Sequence, residues 1–428
     1  MSTTDNCHSP NSPDFDDMTD ILKAENEQQV LDAVKSAASD KIALDVRANG
    51  SKAGLGRATD IGHVLDVSGL GGVNFYEPAE LVLSAGAATG VAEVEDLLAD
   101  KSQQLAFEPP DLGPLLGGEA GQGTLGGLVA CNLAGPRRVK AGAARDHFLG
   151  FSAVSGRGEV FKSGGRVVKN VTGFDLSKLM AGSYGTLAVM TELTIKVLPA
   201  PEKIRTVLIS WAKDGIYDHG GVKAMTDAMA SPHEVSGAAH MPAGIAERSS
   251  VSYVGDSGRA VTALRVEGPE PSVAHRCEAL KNLLGKYGDI EELHTQNSTA
   301  FWCDVRDVQC FVENQDRYIW RVSVPPTEGS RVALKILEGR PGEALYDWSG
   351  GLIWLALAPA PDACANIVRQ HVAAVGGHAM LMRAPADVRA RVPVFEPQNG
   401  TMADITQRIK EGFDPHGILN PGRMYEGV

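Results

Sequence analysis

The sequence predicts an α+β protein built as two lobes. Three observations carry that expectation. Before Pro199 the candidate elements run α, β, β, β, α, not in the strict βαβ alternation of a doubly wound sheet. Leu187 to Val197 alternates, with Val189, Thr191, Leu193, Ile195 and Val197 set against Glu192, Thr194 and Lys196, as a half-buried antiparallel strand does. Beyond Pro199 and Pro201, glycine thins out, and several strands interleave with amphipathic helices, which suits a second sheet with helices on one face.

In the first lobe, Asn26 to Ala37 reads as a helix, with Val30, Leu31, Val34 and Ala37 at helical spacing. Ile42 to Val46 reads as a strand running into the turn signal Asn49-Gly50. Val64 to Val67 and Leu81 to Ala85 are further strands, and Val91 to Leu98 is a helix with one apolar face. Phe148 to Val154 is a strand entering a hairpin at Gly156-Arg157-Gly158-Glu159, and Asp175 to Met180 is a short helix. In the second lobe the predicted strands are Arg205 to Trp211, Val261 to Glu267, Ile319 to Val324, Ala344 to Trp348, Leu352 to Leu357 and Ala379 to Met382. The predicted helices there are Ser272 to Tyr287, Asp362 to Ala374 and Met402 to Glu411.

Composition narrows the class. The 428 residues are 43% hydrophobic and 22% charged, an ordinary globular balance for two or three lobes. A formal net charge of -13 with no basic cluster argues against nucleic acid as a partner. No apolar run approaches the roughly 20 residues of a membrane helix. The polar, acidic start lacks the basic and apolar regions of a secretory signal, so residues 1–19 are expected to be a disordered tail on a cytoplasmic protein. The six cysteines include no C-x-x-C pair, so zinc and iron–sulfur clusters have no ligand framework. A redox protein of this sequence needs an organic carrier.

Seven glycines crowd into Gly117 to Gly135, around Thr124. Glycine lets a backbone approach a ligand closely, and successive amides can cradle a phosphate. Gly121-x-Gly123-x-x-Gly126 imitates the dinucleotide fingerprint, but Glu108-Pro109-Pro110-Asp111 precedes it where a buried strand is required. No acidic residue follows before Asp146, so the ribose-binding acid is also missing.

Three Gly-rich segments occur in order: Asn49-Gly50-Ser51-Lys52, Gly117 to Gly127, and Gly182-Ser183-Tyr184-Gly185-Thr186. On a mixed α+β half followed by a second α+β lobe, they resemble the vanillyl-alcohol-oxidase-type (PCMH-type) FAD-binding family. Gly126 to Arg138, Lys169 to Leu176, Tyr346-Asp347-Trp348-Ser349-Gly350-Gly351, Gly376 to Ala379 and Leu419 to Tyr425 narrow the resemblance to the FAD-binding E subunits of glycolate oxidases. The resemblance implies a two-subdomain PCMH-type FAD-binding domain over 20–200, an α+β cap domain over 201–395, and a segment 396–428 returning to the FAD domain. It also implies oxidation of glycolate, a 2-hydroxy acid, to glyoxylate beside a D-type flavoprotein and an F-type iron–sulfur subunit. Any membrane contact would then come through those partners. Two other readings stay open: an electron-relay subunit without turnover of its own, and a free-standing flavin oxidase of another hydroxy acid such as D-lactate.

The resemblance also implies residue roles. Many relatives attach FAD through a histidine in the first loop, where this chain has Lys52, so FAD is expected to be non-covalent. Lys52 itself is either a flavin contact or a solvated lysine. The expected cofactor-binding residues are Asn49, Gly50, Ser51, Lys52, Pro110, Thr124, Gly126, Gly127, Arg145, Asp146, Gly182, Gly185 and Thr186. Within that set, amides of Gly50, Ser51, Thr124, Gly126 and Gly127 are expected on the pyrophosphate. Arg145 and Asp146 are expected near the isoalloxazine, and Gly185 and Thr186 on the adenine side. Arg137 and Arg138 either neutralise phosphate or cap a turn. Hydroxy-acid oxidation needs a cation for the carboxylate and a base for the hydroxyl proton. Arg383 and His378 are the candidates, with Arg423 near the flavin, and His378 is alternatively a plain loop histidine. The His-rich segments of the D-type flavoproteins are missing, which leaves open which subunit oxidises substrate.

Overall fold

A computed structural model describes residues 20–166, 173–213 and 215–428. The predicted tail 1–19 and the motif residues Lys169 to Thr172 lie outside the described residues.

The first lobe holds two main sheets, besides a two-stranded pairing of Gln103–Gln104 with Leu198–Pro199. One is parallel, in the order Asp20–Lys23, His63–Asp66, Asp45–Arg47. The helix Glu27–Asp40 packs against Phe148–Ser155 of the other sheet and is capped by Asn26, whose side chain accepts from the Gln29 amide at 3.0 Å. The other sheet is antiparallel, in the order Val73–Glu77, Val82–Gly86, Ala188–Lys196, Phe148–Ser155, Glu159–Gly164. Ala188–Lys196 is central and almost wholly buried, so the apolar-polar alternation reflects pairing on both sides more than solvent on one.

The second lobe is an eight-stranded antiparallel sheet ordered Asp289–Leu293, Lys203–Ser210, Val261–Gly268, Gly237–Met241, Gly342–Asp347, Leu352–Leu357, Tyr318–Ser323, His378–Arg383. Its two halves meet at one register pair, His240 with Tyr346. The helices Glu270–Leu284, Asp218–Met229, Gly329–Leu337 and Ala365–Ala373 lie side by side against it. The other face turns to the first lobe. Trp348 there donates its indole N–H to Gly135 O at 3.1 Å, and the Tyr184 hydroxyl reaches Met380 Sδ at 3.4 Å.

Four charges, two buried arginines and two nearly buried glutamates, lock the lobes together. Glu108 and Arg137 come from the first lobe, and Arg265 and Glu267 from the strand Val261–Gly268. Arg265 grips Glu108 with two nitrogens, at 2.6 and 2.8 Å, and Arg137 Nη2 reaches Glu267 at 2.8 Å. Arg137 therefore neither neutralises phosphate nor caps a turn, since its guanidinium is committed across the lobe boundary. Burial by itself would raise the Glu267 carboxyl, but Arg265 and Arg137 outweigh it and hold the group at about 2.

The chain then returns. In the helix Gly400–Phe413, Lys410 is 3% exposed and spends its ammonium on Thr186 O, Leu419 O and Asp414 Oδ2, at 2.8, 2.9 and 2.7 Å. Three donors meet three acceptors, which is what makes a buried ammonium tolerable. Leu419 bridges Leu44 in parallel register, so residues from the far end of the chain extend the first lobe.

Candidate active site

A cavity of about 320 Å³ opens where the two small sheets, the Gly-rich stretch and the returning segment converge. Of the expected cofactor residues, Asn49, Gly50, Ser51, Lys52, Thr124, Gly126, Gly127 and Gly185 line it, and so does Arg423. Pro110, Arg145, Asp146, Gly182 and Thr186 do not, nor do His378 and Arg383.

The Gly-rich stretch is shaped from outside. Asp111 accepts from the amides of Gly113 and Gly121, at 3.2 and 2.7 Å, and so curls the loop before Thr124. Thr124 caps the short helix Leu125–Ala130, its Oγ1 accepting from the Gly127 amide at 3.3 Å. The Gly126 amide donates to Ala87 O at 2.7 Å. It is thereby unavailable to a phosphate, which corrects the expectation for that residue. Its lack of a side chain has another use: a Cβ at Gly126 would lie 2.8 Å from Ala87 O, so glycine lets the helix sit on that backbone. The first loop differs. Among the described residues, the amides of Gly50, Ser51 and Lys52 donate to no protein acceptor, and neither does that of Thr124.

The electrostatics point the same way. Arg47, Lys52, Arg57, Arg389 and Arg423 line the cavity against a single described acid, Asp45. Burial lowers the pKa of the Lys52 ammonium, and the opposing pull of Cys131 and Asp111 does not cancel it. A Cβ built on Gly123 or Gly127 would stand 3.7 Å from Lys52 Nζ, so that ammonium sits between the first two Gly-rich loops. Lys52 is thus not a solvated loop lysine. Free amides, clustered cations and glycines where side chains would intrude fit a dianionic pyrophosphate. Val46, Val67, Ala188, Val189 and Met190 supply apolar wall for a ring system.

The returning segment completes the wall. Asn420 Oδ1 accepts from the Val46 amide at 2.8 Å, and its Nδ2 donates to Tyr184 O at 2.9 Å. Arg423 donates to Lys52 O at 3.0 Å and Arg389 to Gly56 O at 2.9 Å. Sequence reasoning missed Arg57, Arg389, Asn420 and Tyr184 as site residues. Asn420 and Tyr184 stood inside quoted motifs, but nothing in the sequence marked Arg57 or Arg389.

The remaining expected residues have other work. Arg145 donates its amide to Asn132 Oδ1, and Asp146 accepts the Ala143 amide, so both serve the local helix start and leave the isoalloxazine expectation without a contact. Pro110 is buried beside Asp111, whose amide is held by Asp307 of the second lobe at 2.8 Å. Gly182 donates to Val129 O at 3.1 Å, and Thr186 is tied to Lys410, one step behind the cavity. Arg383 is 8% exposed and spends its guanidinium on four carbonyls, those of Arg317, Leu115, Phe311 and Asn314. Four of its five N–H donors are spent on backbone, which leaves too few for a two-point grip on a substrate carboxylate, so the expected role passes from it. His378 is exposed on the edge strand; partial burial, then the nearby Arg321 charge, lowers its pKa.

Asp347, at the end of Gly342–Asp347, is 2% exposed and accepts the Trp348 amide at 2.7 Å. Burial pushes its carboxyl up to about 7. The folded state then binds a proton that the unfolded chain, with its carboxyl near about 3.9, has lost, so this group lowers stability as pH rises from about 4 to about 7. Asp347→Asn is expected to flatten that part of the stability profile. Melting temperatures measured at several pH values across the window would show it, and an unchanged slope would refute the assignment.

Comparison with known proteins agrees with this geometry. A family model described as FAD binding domain matches residues 20–164, which hold the parallel sheet, the first loop and the Gly-rich stretch. A structure of p-cresol methylhydroxylase with substrate bound superposes with a TM-score of 0.67 at 16% identity, over 94% of this chain and 88% of that one. Fold and cavity define the class: an FAD-linked oxidoreductase with a PCMH-type fold, whose cofactor is FAD. D-lactate dehydrogenase of Anaerostipes hadrus is 34% identical over 194 residues, 45% of this chain and 38% of that protein. The glycolate oxidase subunit GlcE of Escherichia coli (strain K12) is 33% identical over 405 residues, covering 95% of this chain and 99% of that protein. The chain belongs to the family of glycolate oxidase subunit GlcE. No helix among the described residues is long and apolar enough to cross a membrane.

Proposed function

We propose that this chain is the FAD-bearing subunit of a multi-subunit glycolate oxidase, acting on a small 2-hydroxy acid. The observation that carries the reading is a match to GlcE over 99% of that subunit's length, joined to a cavity suited to a pyrophosphate. In this reading 20–200 is the FAD-binding domain, 201–395 the cap, and 396–428 the segment that closes the FAD domain. The amides of Gly50, Ser51, Lys52 and Thr124 hold the pyrophosphate, with the Lys52 ammonium between the loops and Asn49 steadying the first loop through Gln122 O. Gly127 leaves the space clear, and Gly185 lets Asn420 pass behind it.

FAD is held without a covalent bond, Lys52 standing where relatives carry a histidine. When bound, it supplies a two-electron acceptor for the carbon bearing the hydroxyl. His378, neutral at pH 7, is the base for the hydroxyl proton, and Arg423 steadies the first loop beside the cofactor. Electrons leave to partner subunits, a D-type flavoprotein and an F-type iron–sulfur protein. The complex is cytoplasmic and meets any membrane through those partners.

Purified alone, the chain is expected to be yellow, and acid precipitation should release its flavin into the supernatant. A colourless chain, or flavin that stays with the precipitate, refutes the corresponding part of the proposal. Glycolate added without partners separates turnover from relay: bleaching supports oxidation on this subunit. An unbleached flavin, with activity restored only by the D and F partners, supports the relay reading.

A further inference from the structure

Among the described residues, two arginines outside the cradle hold no acid. Arg321 lies on Tyr318–Ser323, and Arg138 follows the corner at Pro136. Both guanidinium carbons lie over the indole of Trp348, 5.1 and 4.4 Å from its centre. Among the described residues, neither guanidinium makes a hydrogen bond or an ion pair. The acids that influence this corner are engaged elsewhere. Asp347 accepts the Trp348 amide, Asp146 the Ala143 amide, and Glu396 is held by Arg369 and the Ala379 amide.

The site faces the flavin lobe. Arg321 is in register with Met380, and Ser323 with His378, so these side chains leave the sheet on one face. Met380 Sδ accepts from the hydroxyl of Tyr184, a residue of the cavity wall. Burial lowers the Arg321 guanidinium to about 10 and the Arg138 charge pushes the same way, yet at neutral pH it keeps its charge.

Trp348 is held in an unusual way. Its φ is 49°, followed by Ser349 at 61° and Gly350 at 90°. Left-handed backbone at a tryptophan is sterically costly and concentrates where a side chain must be presented. The indole N–H bonded to Gly135 O fixes the ring from the first lobe. A fixed ring carrying two like charges with no counter-charge is stable chiefly when an anion sits between them.

We propose that Arg321 and Arg138, presented over Trp348, are the receptor for the carboxylate of a small hydroxy acid, the role the sequence had suggested for Arg383. The inference rests on the flavin reading above and deepens it. Planar guanidinium forks match a carboxylate in a way that an ammonium does not.

The test is calorimetric titration of the full-length chain with oxalate, an unreactive carboxylate. Arg321→Met and Arg138→Met are each expected to weaken oxalate at least tenfold while flavin content stays at the wild-type level. Arg321→Lys should fall between wild type and Arg321→Met. Glycolamide, glycolate without its charge, should bind at least tenfold more weakly than glycolate. Wild-type oxalate affinity in both methionine variants overturns the receptor, as does equal binding of glycolamide and glycolate. If Arg321→Met does not fold, Arg138→Met decides alone, because that side chain is exposed. A wild-type chain that holds flavin but no oxalate overturns the receptor and leaves the flavin reading standing. A chain without flavin fails the flavin reading, and the same titration still reports on the arginines.

Discussion

Gly127→Val is expected to yield a folded chain that has lost at least nine-tenths of its flavin, on the order of a tenfold or larger drop in affinity. A Cβ at Gly127 would meet only Thr124 Oγ1 at 3.2 Å and the end of the Lys52 side chain at 3.6 Å. The protein can absorb it, and helix propensity favours a side chain over glycine by a few tenths of a kcal/mol, about. The added methyls enter the space between the two loops, where phosphate oxygens would lie. The neighbouring Gly126→Ala should fail differently. Its Cβ would press 2.8 Å from Ala87 O, a backbone atom that cannot step aside. Overpacking of that kind costs about 1–3 kcal/mol, so the melting temperature should fall first and flavin with it. Flavin absorbance per chain and thermal unfolding together separate the two. Stoichiometric flavin in Gly127→Val would refute the cradle.

Arg265→Met is expected to destabilise the protein by about 3–5 kcal/mol, because it leaves Glu108 and Glu267 buried with too little compensation. The neighbours make the direction firm: Arg265 is 1% exposed and supplies two of the three hydrogen bonds to the Glu108 carboxylate, the Arg137 amide giving the third. Urea titration near neutral pH measures the loss, and a change below about 1 kcal/mol would contradict it. The same network predicts an acid limb. Both carboxyls are lowered on folding, Glu267 to about 2. A depressed acid contributes stability above its unfolded pKa, about 4.3, and loses it as pH falls through the folded value. Wild type should therefore weaken between about pH 4.5 and pH 2, and Arg265→Met should weaken less over that window.

Much of the fold was legible because periodicity reports burial. Leu352–Leu357 was predicted at its observed bounds, and Phe148–Ser155 and Val261–Gly268 within one residue at each end. Among the described helices of nine residues or more, three escaped: Asp218–Met229, Thr295–Arg306 and Gly329–Leu337. The first carries Gly220 and Gly221, and a glycine pair weakens a helical pattern. A Cβ at Gly221 would lie 2.3 Å from the His240 ring, so the glycine there serves close packing and not a bend. Thr295–Arg306 is too polar to show a stripe, since part of its buried face is Ser298 and Asp304. The strands Val73–Glu77, Gly237–Met241 and Asp289–Leu293 also went unread.

The site was legible where backbone makes it and illegible where tertiary register makes it. Glycine clusters marked the loops around Gly50 and Thr124. Nothing local distinguished Arg383, which meets four carbonyls, from Arg321, which meets none. That difference arises from strand pairing and from loops far away in sequence. Chemistry alone had asked for an arginine and could not choose between them.

The cavity wall has a history as well as a geometry. Arg423 closes on Lys52 across 371 residues of chain, and Asn420 fastens Val46 and Tyr184 together. Synthesis delivers the first loop early and these clasps very late. Until residues 410–423 emerge from the ribosome, the pocket lacks a side, and Thr186 lacks the lysine that anchors it. The pocket is therefore whole only when two stretches distant in sequence have folded against each other, so firm cofactor retention is tied to folding of the returning segment.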